Sequence, residues 1–122
     1  MNIEDFRAYC LSKKGTTEDL PFDDVTLTFK VMGKIFAITG LDSDDFRVNL
    51  KCDPERAIEL RETHPDAILP GYHMNKKHWN TVVFENIFDE DLLIQMIDHS
   101  YDLVVAKLKK ADRAYLLSDE VW

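Results

Sequence analysis

Residues 25–39 read VTLTFKVMGKIFAIT, and this stretch decides the fold. Apolar and polar side chains alternate over 25–31, which is the two-residue period of a strand with one buried face. Met32-Gly33 follows as a two-residue turn, in which glycine supplies the positive φ that such turns need. Lys34–Thr39 then returns as a second strand, so the stretch predicts a β-hairpin.

A hairpin with this turn brings large apolar side chains together across its two strands. We expect Phe29 to pair with Phe36 and Leu27 with Ile38, because these positions face each other when the turn has two residues. The four apolar groups then share one face, which helices would cover, and Lys30 lies on the other.

The flanking sequence supplies the remaining elements. Caps, apolar periodicity and turn residues predict the order α-β-β-β-α-β-α. An antiparallel sheet with helices packed on one face, an α+β fold, follows from that order, and residues 1–122 form a single domain. Outside the hairpin we expect helices at Ile3–Lys14, Pro54–Glu62 and Asp89–Lys110, and strands at Phe46–Cys52 and Trp79–Phe84.

The last predicted helix carries an apolar stripe along one side, as a helix packed on a sheet does. Beyond it, we expect Tyr115, Leu116 and Trp122 to pack back onto the domain. The residues of the stripe are Leu93, Met96, Ile97, Tyr101, Val104 and Leu108.

The composition indicates a cytoplasmic protein. Residues 1–5 include two acids, Glu4 and Asp5, where a secretory leader would be apolar, and the sequence contains no apolar run that could span a bilayer. Cys10 and Cys52 are far apart in sequence, and we expect two buried free thiols. The net charge of −8 disfavours non-specific nucleic-acid binding, which depends on Lys and Arg, unless the charges are segregated.

The charges are segregated along the chain. Segments 25–39, 46–52 and 67–84 contain no Asp or Glu. They hold six of the 15 cations: Lys30, Lys34, Arg47, Lys51, Lys76 and Lys77.

The strand pattern places several of these cations on the uncovered face of the sheet. Lys30, Arg47 and Lys51 would lie there with Asn49, where they could focus anions despite the net charge. Alternatively, the long stems of Lys and Arg only shield a polar sheet face.

Residues 70–79, PGYHMNKKHW, combine basic and aromatic side chains without an acid. Phosphate contact with base stacking would use this combination. Alternatively, the aromatic rings pack into the core and the lysines are merely solvated. The candidate nucleic-acid or anion-binding residues of this segment are Tyr72, His73, Asn75, Lys76, Lys77 and Trp79.

The sequence carries no motif for catalysis, a metal or a cofactor. Its four glycines are isolated, so no phosphate-binding loop is present, and no C-x-x-C or H-E-x-x-H occurs. We therefore expect no catalytic residue, no metal ligand and no cofactor. An enzyme without a recognisable motif remains an alternative, in which His73 or His78 would lie in a pocket beside a buried carboxylate.

Several blocks in order along the chain resemble the MmcQ/YjbR family. They are Pro21-Phe22, residues 30–37 (KVMGKIFA), 48–54 (VNLKCDP), 70–79 (PGYHMNKKHW) and Ser100-Tyr101. The resemblance runs from about residue 2 to 110. It implies a fold similar to the frataxin-like CyaY proteins and a DNA-binding role through a double wing. By position, the wings would be the Lys30–Lys34 turn and the loop holding Lys76 and Lys77.

The leading hypothesis is therefore a non-enzymatic, DNA-binding module that uses the basic hairpin and loop. The alternative is a module that binds a small anion or a protein partner on the same sheet face. Neither hypothesis involves a membrane, and we expect a monomer or a weak dimer.

Overall fold

The computed structural model describes residues 1–118 and has one six-stranded antiparallel sheet, in the order β1-β2-β3-β4-β6-β5. Three helices, α1 to α3, pack against the sheet, and a fourth follows near the C-terminus. The strands are β1 (Thr16–Asp19), β2 (Thr26–Val31), β3 (Lys34–Gly40), β4 (Arg47–Lys51), β5 (Ile68–Pro70) and β6 (Trp79–Val83). The helices are α1 (Ile3–Ser12), α2 (Pro54–Thr63), α3 (Glu90–Ala106) and α4 (Lys110–Leu117), with a 3₁₀ turn at Phe84–Asn86.

The α+β class and the hairpin are confirmed, but the predicted element order was wrong in three places. β1 and β5 add two edge strands that lack apolar alternation, since β1 reads TTED and the three-residue β5 ends in a proline. Proline is tolerated at an edge because no neighbour needs its missing N–H. The last helix ends at Ala106 rather than Lys110, and α4 is a separate helix.

The predicted register of the hairpin was also wrong. Phe29 pairs with Ala37, not Phe36, because the ladder shifts by one residue between Phe29 and Lys30. This β-bulge inserts one extra residue into β3. Leu27 therefore pairs with Thr39, and Ile38 lies opposite Thr28 on the other face.

The bulge leaves Ile35 and Ile38 on the face away from the helices. Ile35 pairs with Lys30, and Ile38 lies beside Asn49, which pairs in turn with Thr81. Strand alternation places these side chains together with Arg47 on one side of the sheet. We call this side the open face.

A buried serine joins α3 to the sheet beside the bulge. The Ser100 hydroxyl donates to the carbonyl oxygen of Phe36 at 2.5 Å and accepts from the backbone N–H of Lys51 at 2.9 Å. The β3–β4 ladder ends at the pair of Ala37 with Leu50, and the hydroxyl bridges the two strands one residue beyond that pair. Ser100 thus satisfies a donor and an acceptor that burial would otherwise leave unpaired.

The core between sheet and helices is built around Phe6 of α1, which is fully buried. Its ring makes edge-to-face contacts with Phe29, Phe46 and Phe84, with ring centroids 5.3–5.6 Å apart. Such contacts add about 0.5–1.5 kcal/mol each beyond area burial. The predicted α3 stripe is confirmed, since its members are buried or pack against this core.

The C-terminal segment follows the prediction in part. Leu116 packs against the core cluster, and the ammonium of Lys14 lies 5.1 Å from the centroid of the Tyr115 ring. Trp122 lies outside the described residues. Within residues 1–118, no helix has both the length and the apolar character that crossing a bilayer requires.

Replacing Ser100 with alanine should lower the free energy of unfolding by about 2–3 kcal/mol, because a buried carbonyl and a largely buried N–H lose their partner. Urea denaturation of both proteins measures the change. Ser12→Ala is the matched control, since that hydroxyl donates to the Tyr9 carbonyl on the exposed end of α1. Equal stability losses for the two variants would contradict the bridging role.

Both cysteines should be inert in the folded protein. Burial raises the pKa of Cys10 to about 12 and that of Cys52 to about 11, so almost no reactive thiolate exists at pH 8. A thiol reagent such as Ellman's reagent should modify neither cysteine in the native state and both in guanidinium chloride. Rapid modification of either thiol in the native protein would contradict this expectation.

Candidate functional site

Several lysine-bearing segments come together at one end of the sheet. Thr16 pairs with Val31 and Lys51 with Trp79, so the α1–β1 turn, the β2–β3 turn, the end of β4 and the β5–β6 loop lie at the same end. The C-terminal end of α3 reaches this end too, since Tyr101 donates to the Lys14 carbonyl. We call segments 12–15, 32–34, 51–53, 71–78 and 106–110 the lysine end. They contain nine lysines and one carboxylate, Asp53.

The opposite end of the sheet is acidic. Segments 20–25, 41–46 and 84–91 follow β1, β3 and β6, and we call them the acidic end. They contain nine carboxylates and no Lys or Arg. The segregation seen along the sequence therefore becomes, in the fold, a separation along the strand direction.

Two of the six cations predicted to form the binding surface are paired with carboxylates. The ammonium of Lys30 lies 3.1 Å from the carboxylate of Asp19, and hydrogen bonds from Thr28 and Lys30 lower the pKa of Asp19. Arg47 donates twice to Asp45, with both distances 2.7 Å, and this pairing lowers the pKa of Asp45 to about 2. The open face thus presents these two cations largely neutralised.

The other four predicted cations lie at the lysine end. Within residues 1–118, neither Lys34 nor Lys77 has a carboxylate partner, and both are exposed. Lys76 donates to the Gly71 carbonyl at 3.0 Å, an uncharged acceptor. Burial lowers the pKa of Lys51, and the nearby ammonium of Lys107 lowers it further.

The 71–78 loop is held to the body of the protein by Arg61 of α2. Its guanidinium donates to the Asn80 side chain at 2.7 Å and to the backbone carbonyls of Lys76 and Trp79. Gly71 is packed so closely that a Cβ there would lie 2.8 Å from the Trp79 Cβ. Sequence reasoning missed Arg61, because a helical arginine three residues before a proline-marked break has no signature of a loop clamp.

The start of the same loop folds onto the open face. The Tyr72 N–H donates to the Thr81 hydroxyl at 2.9 Å, and the Asn49 side chain donates to the Tyr72 carbonyl at 3.3 Å. The Thr81 hydroxyl donates in turn to Asn49. His73 follows in the left-handed region, with φ of 58°, and its ring lies 4.0 Å from the Tyr72 ring.

The folded-back loop makes one wall of a groove on the open face. The groove has a volume of about 710 Å³. Ile35 and Ile38 form its apolar floor, and Tyr72 and Phe22 stand at its walls with 65% and 67% of their surfaces exposed. The remaining residues around it are Thr26, Gly40, Asp42, Ser43, Arg47, Asn49, His73, Met74 and Thr81.

The geometry does not assemble the acid–base pair that the enzyme alternative requires. His73 is exposed and His78 half-buried, and the buried polar residues of 1–118 include no carboxylate. No three His, Cys, Asp or Glu side chains in this part of the chain cluster as metal ligands do.

Comparison with known proteins identifies relatives over most of the chain. The Escherichia coli O157:H7 protein YbdF is 40% identical over 93 residues, which cover 76% of this chain and 75% of YbdF. YjbR of Escherichia coli strain K12 is 31% identical over 96% of this chain and 98% of its own length. YyaQ of Bacillus subtilis strain 168 is 30% identical over 82% of this chain and 95% of its own length.

Solved structures and a family model agree with these relatives. The crystal structure of Deinococcus radiodurans protein DR2400 superposes with a TM-score of 0.87 at 43% identity, covering 98% of this chain and 91% of that one. A Pseudomonas syringae protein superposes with a TM-score of 0.71 at 28% identity, covering 84% and 98%. A model of the family described as YjbR matches residues 11–103. The fold, the sequence identity and the aligned share of each chain all support the same assignment, and the chain belongs to the YjbR family.

Proposed function

We propose that this protein is a non-enzymatic, cytoplasmic module that binds DNA through the lysine end. One observation carries the proposal: lysines from separate elements gather at one end of the sheet while the acidic loops lie at the other. The residues proposed to contact phosphate are Lys34, Lys51, Lys76, Lys77 and Lys107.

The two projections at this end would act as the wings. Lys34 lies at the tip of the β2–β3 hairpin, and Lys76 and Lys77 lie in the loop that Arg61 fixes. A fixed loop loses less conformational entropy on binding than a mobile one, so its lysines are ready for contact. This arrangement favours contact by a hairpin and a loop rather than insertion of a helix into the major groove.

Aromatic side chains beside the lysines could add base contacts. Tyr72 is 65% exposed and is anchored through its backbone, so its ring, which contacts His73, still offers surface on which a base can stack. Trp79 is half-buried at the base of the loop and contributes less ring surface. Stacking of one base on an exposed ring contributes about 1–3 kcal/mol.

The charge distribution reconciles binding with the net charge of −8. The acidic end repels phosphate, and the opposite end attracts it, so DNA approaching within about 10 Å meets mainly the lysines. α4 also packs beside this end, with Leu116 near Gly15, but its Asp112 and Arg113 cancel in charge.

Binding should depend steeply on salt. Five phosphate contacts predict a slope of about −4.5 in log K against log salt, or roughly a 500-fold loss between 50 and 200 mM. In the double variant Lys34→Gln/Lys77→Gln the slope should fall to about −2.7, because two counterion-releasing contacts are lost. Fluorescence anisotropy with a labelled 20-base-pair duplex measures both slopes.

The matched control removes the same net charge from cations that are already neutralised. Arg7→Gln/Arg47→Gln disrupts the pairs with Glu18 and Asp45 and should leave the salt slope of DNA binding unchanged. If both double variants reduce the slope equally, or if the wild type does not bind DNA at 50 mM salt, the proposed interface is wrong.

A second candidate function is ligand binding on the open face, and the groove described above is the observation that favours it. The groove shares Tyr72, His73 and Met74 of the 71–78 loop with the lysine end, but none of the lysines lines it.

A further inference from the structure

The open face has an apolar floor, formed by Ile35 and Ile38, although no helix of residues 1–118 covers this face of the sheet. Without the bulge, Ile38 would lie on the face that the helices cover. The bulge instead sets Ile35 and Ile38 side by side on the open face, where both remain partly exposed. Bulges often re-aim side chains beside functional sites, and exposed apolar groups in a concave surface mark binding sites.

The wall above this floor is preformed. Asn49 and Thr81 hold the Tyr72 backbone, and Arg61 holds the far end of the same loop. His73 adopts a left-handed conformation that non-glycine residues rarely take and that is common at ligand clamps. The groove therefore exists before any ligand enters, which lowers the entropic cost of binding.

The charges and hydrogen bonds of the groove specify what it would accept. Its one guanidinium, Arg47, is neutralised by Asp45, and the carboxylate of Asp42 also lines the groove. The Asn49 and Thr81 side chains are already bonded to each other and to the loop. An anion would meet no unpaired cation there, whereas an apolar body would displace water from the isoleucines.

The volume of the groove and the residues of its walls limit the class of ligand further. A volume of about 710 Å³ is within the range of sites for small organic molecules, roughly 300–1,000 Å³. Tyr72 and Phe22 offer aromatic surfaces on different loops, and aromatic surfaces favour flat partners.

We propose that the groove on the open face binds a small, flat, uncharged organic molecule, which lies on Ile35 and Ile38 between Tyr72 and Phe22. This function does not depend on DNA binding at the lysine end, although the two surfaces share the 71–78 loop. Asp45 accepts from Nε and Nη2 of Arg47 and leaves the Nη1 of this groove residue as a donor for a carbonyl or hydroxyl oxygen of such a ligand.

Nile red, a flat uncharged dye, is the probe. Its fluorescence should rise saturably at one dye per chain, and Ile38→Gln should raise its Kd at least tenfold. Ile58→Gln makes the same chemical change on an isoleucine of α2 that is 54% exposed and far from the groove lining, and should change Kd less than twofold. The anionic dye 1-anilinonaphthalene-8-sulfonate should bind at least tenfold more weakly than Nile red.

Tyr72→Ala is a second groove variant, which changes the wall instead of the floor. It should leave the loop in place, because the backbone of Tyr72 rather than its ring makes the hydrogen bonds to the sheet. It should raise the Kd of Nile red severalfold. The proposal is overturned if Nile red does not bind saturably, if neither groove variant weakens binding, or if the anionic dye binds equally well.

Sedimentation velocity tests the other occupant of such a face, a second copy of this chain. A monomer for both the wild type and Ile38→Gln supports a small-molecule site. A wild-type dimer that Ile38→Gln converts to a monomer would assign the groove to self-association and overturn the proposal. Dye binding is measured without DNA, so its failure would leave the lysine-end proposal standing.

Discussion

The bridge that Ser100 makes between Phe36 and Lys51 is the interaction on which the rest of the structure depends. The ladder between β3 and β4 ends at the pair of Ala37 with Leu50, and buried backbone groups beyond its end are stable only if they find other partners. The α3 hydroxyl supplies both partners at once. It thereby fixes α3 to the centre of the sheet at Phe36, the residue of β3 that the register shift leaves without a partner in β2.

The open face and the lysine end follow from this register in different ways. The bulge places the apolar floor on the open face. The positive charge of the lysine end comes from turns that the antiparallel strands bring together. Arg61 connects the two surfaces, because the loop that it clamps carries Lys76 and Lys77 at one side and presents Tyr72 to the groove at the other. A ligand in the groove and DNA at the lysine end would therefore contact the same loop.

Net charge describes this protein poorly. Ion pairing removes Lys30 and Arg47 from the set of available cations, although strand alternation alone places both on the open face. Lys34 and Lys77 stay in that set, because no carboxylate of residues 1–118 forms an ion pair with either of them. The availability of a cation thus depends on which carboxylate lies beside it, and neither composition nor periodicity contains that information.

By itself, the sequence determined the α+β class, the hairpin turn at Met32-Gly33, the buried stripe of α3 and the family resemblance, since each depends on local periodicity or on a contiguous motif. Only the tertiary structure decided that Phe29 faces Ala37, that Asp19 neutralises Lys30 and that Arg61 holds the 71–78 loop. The sequence also did not predict the edge strands β1 and β5, because these strands form by pairing with their neighbours and have no apolar alternation of their own. The physical reason is the same in each case. A turn or an amphipathic helix is specified by residues close together in sequence. A register shift, an ion pair between strands or a hydrogen bond from a helix to a loop joins distant residues, and the packing of the whole chain determines which of them meet.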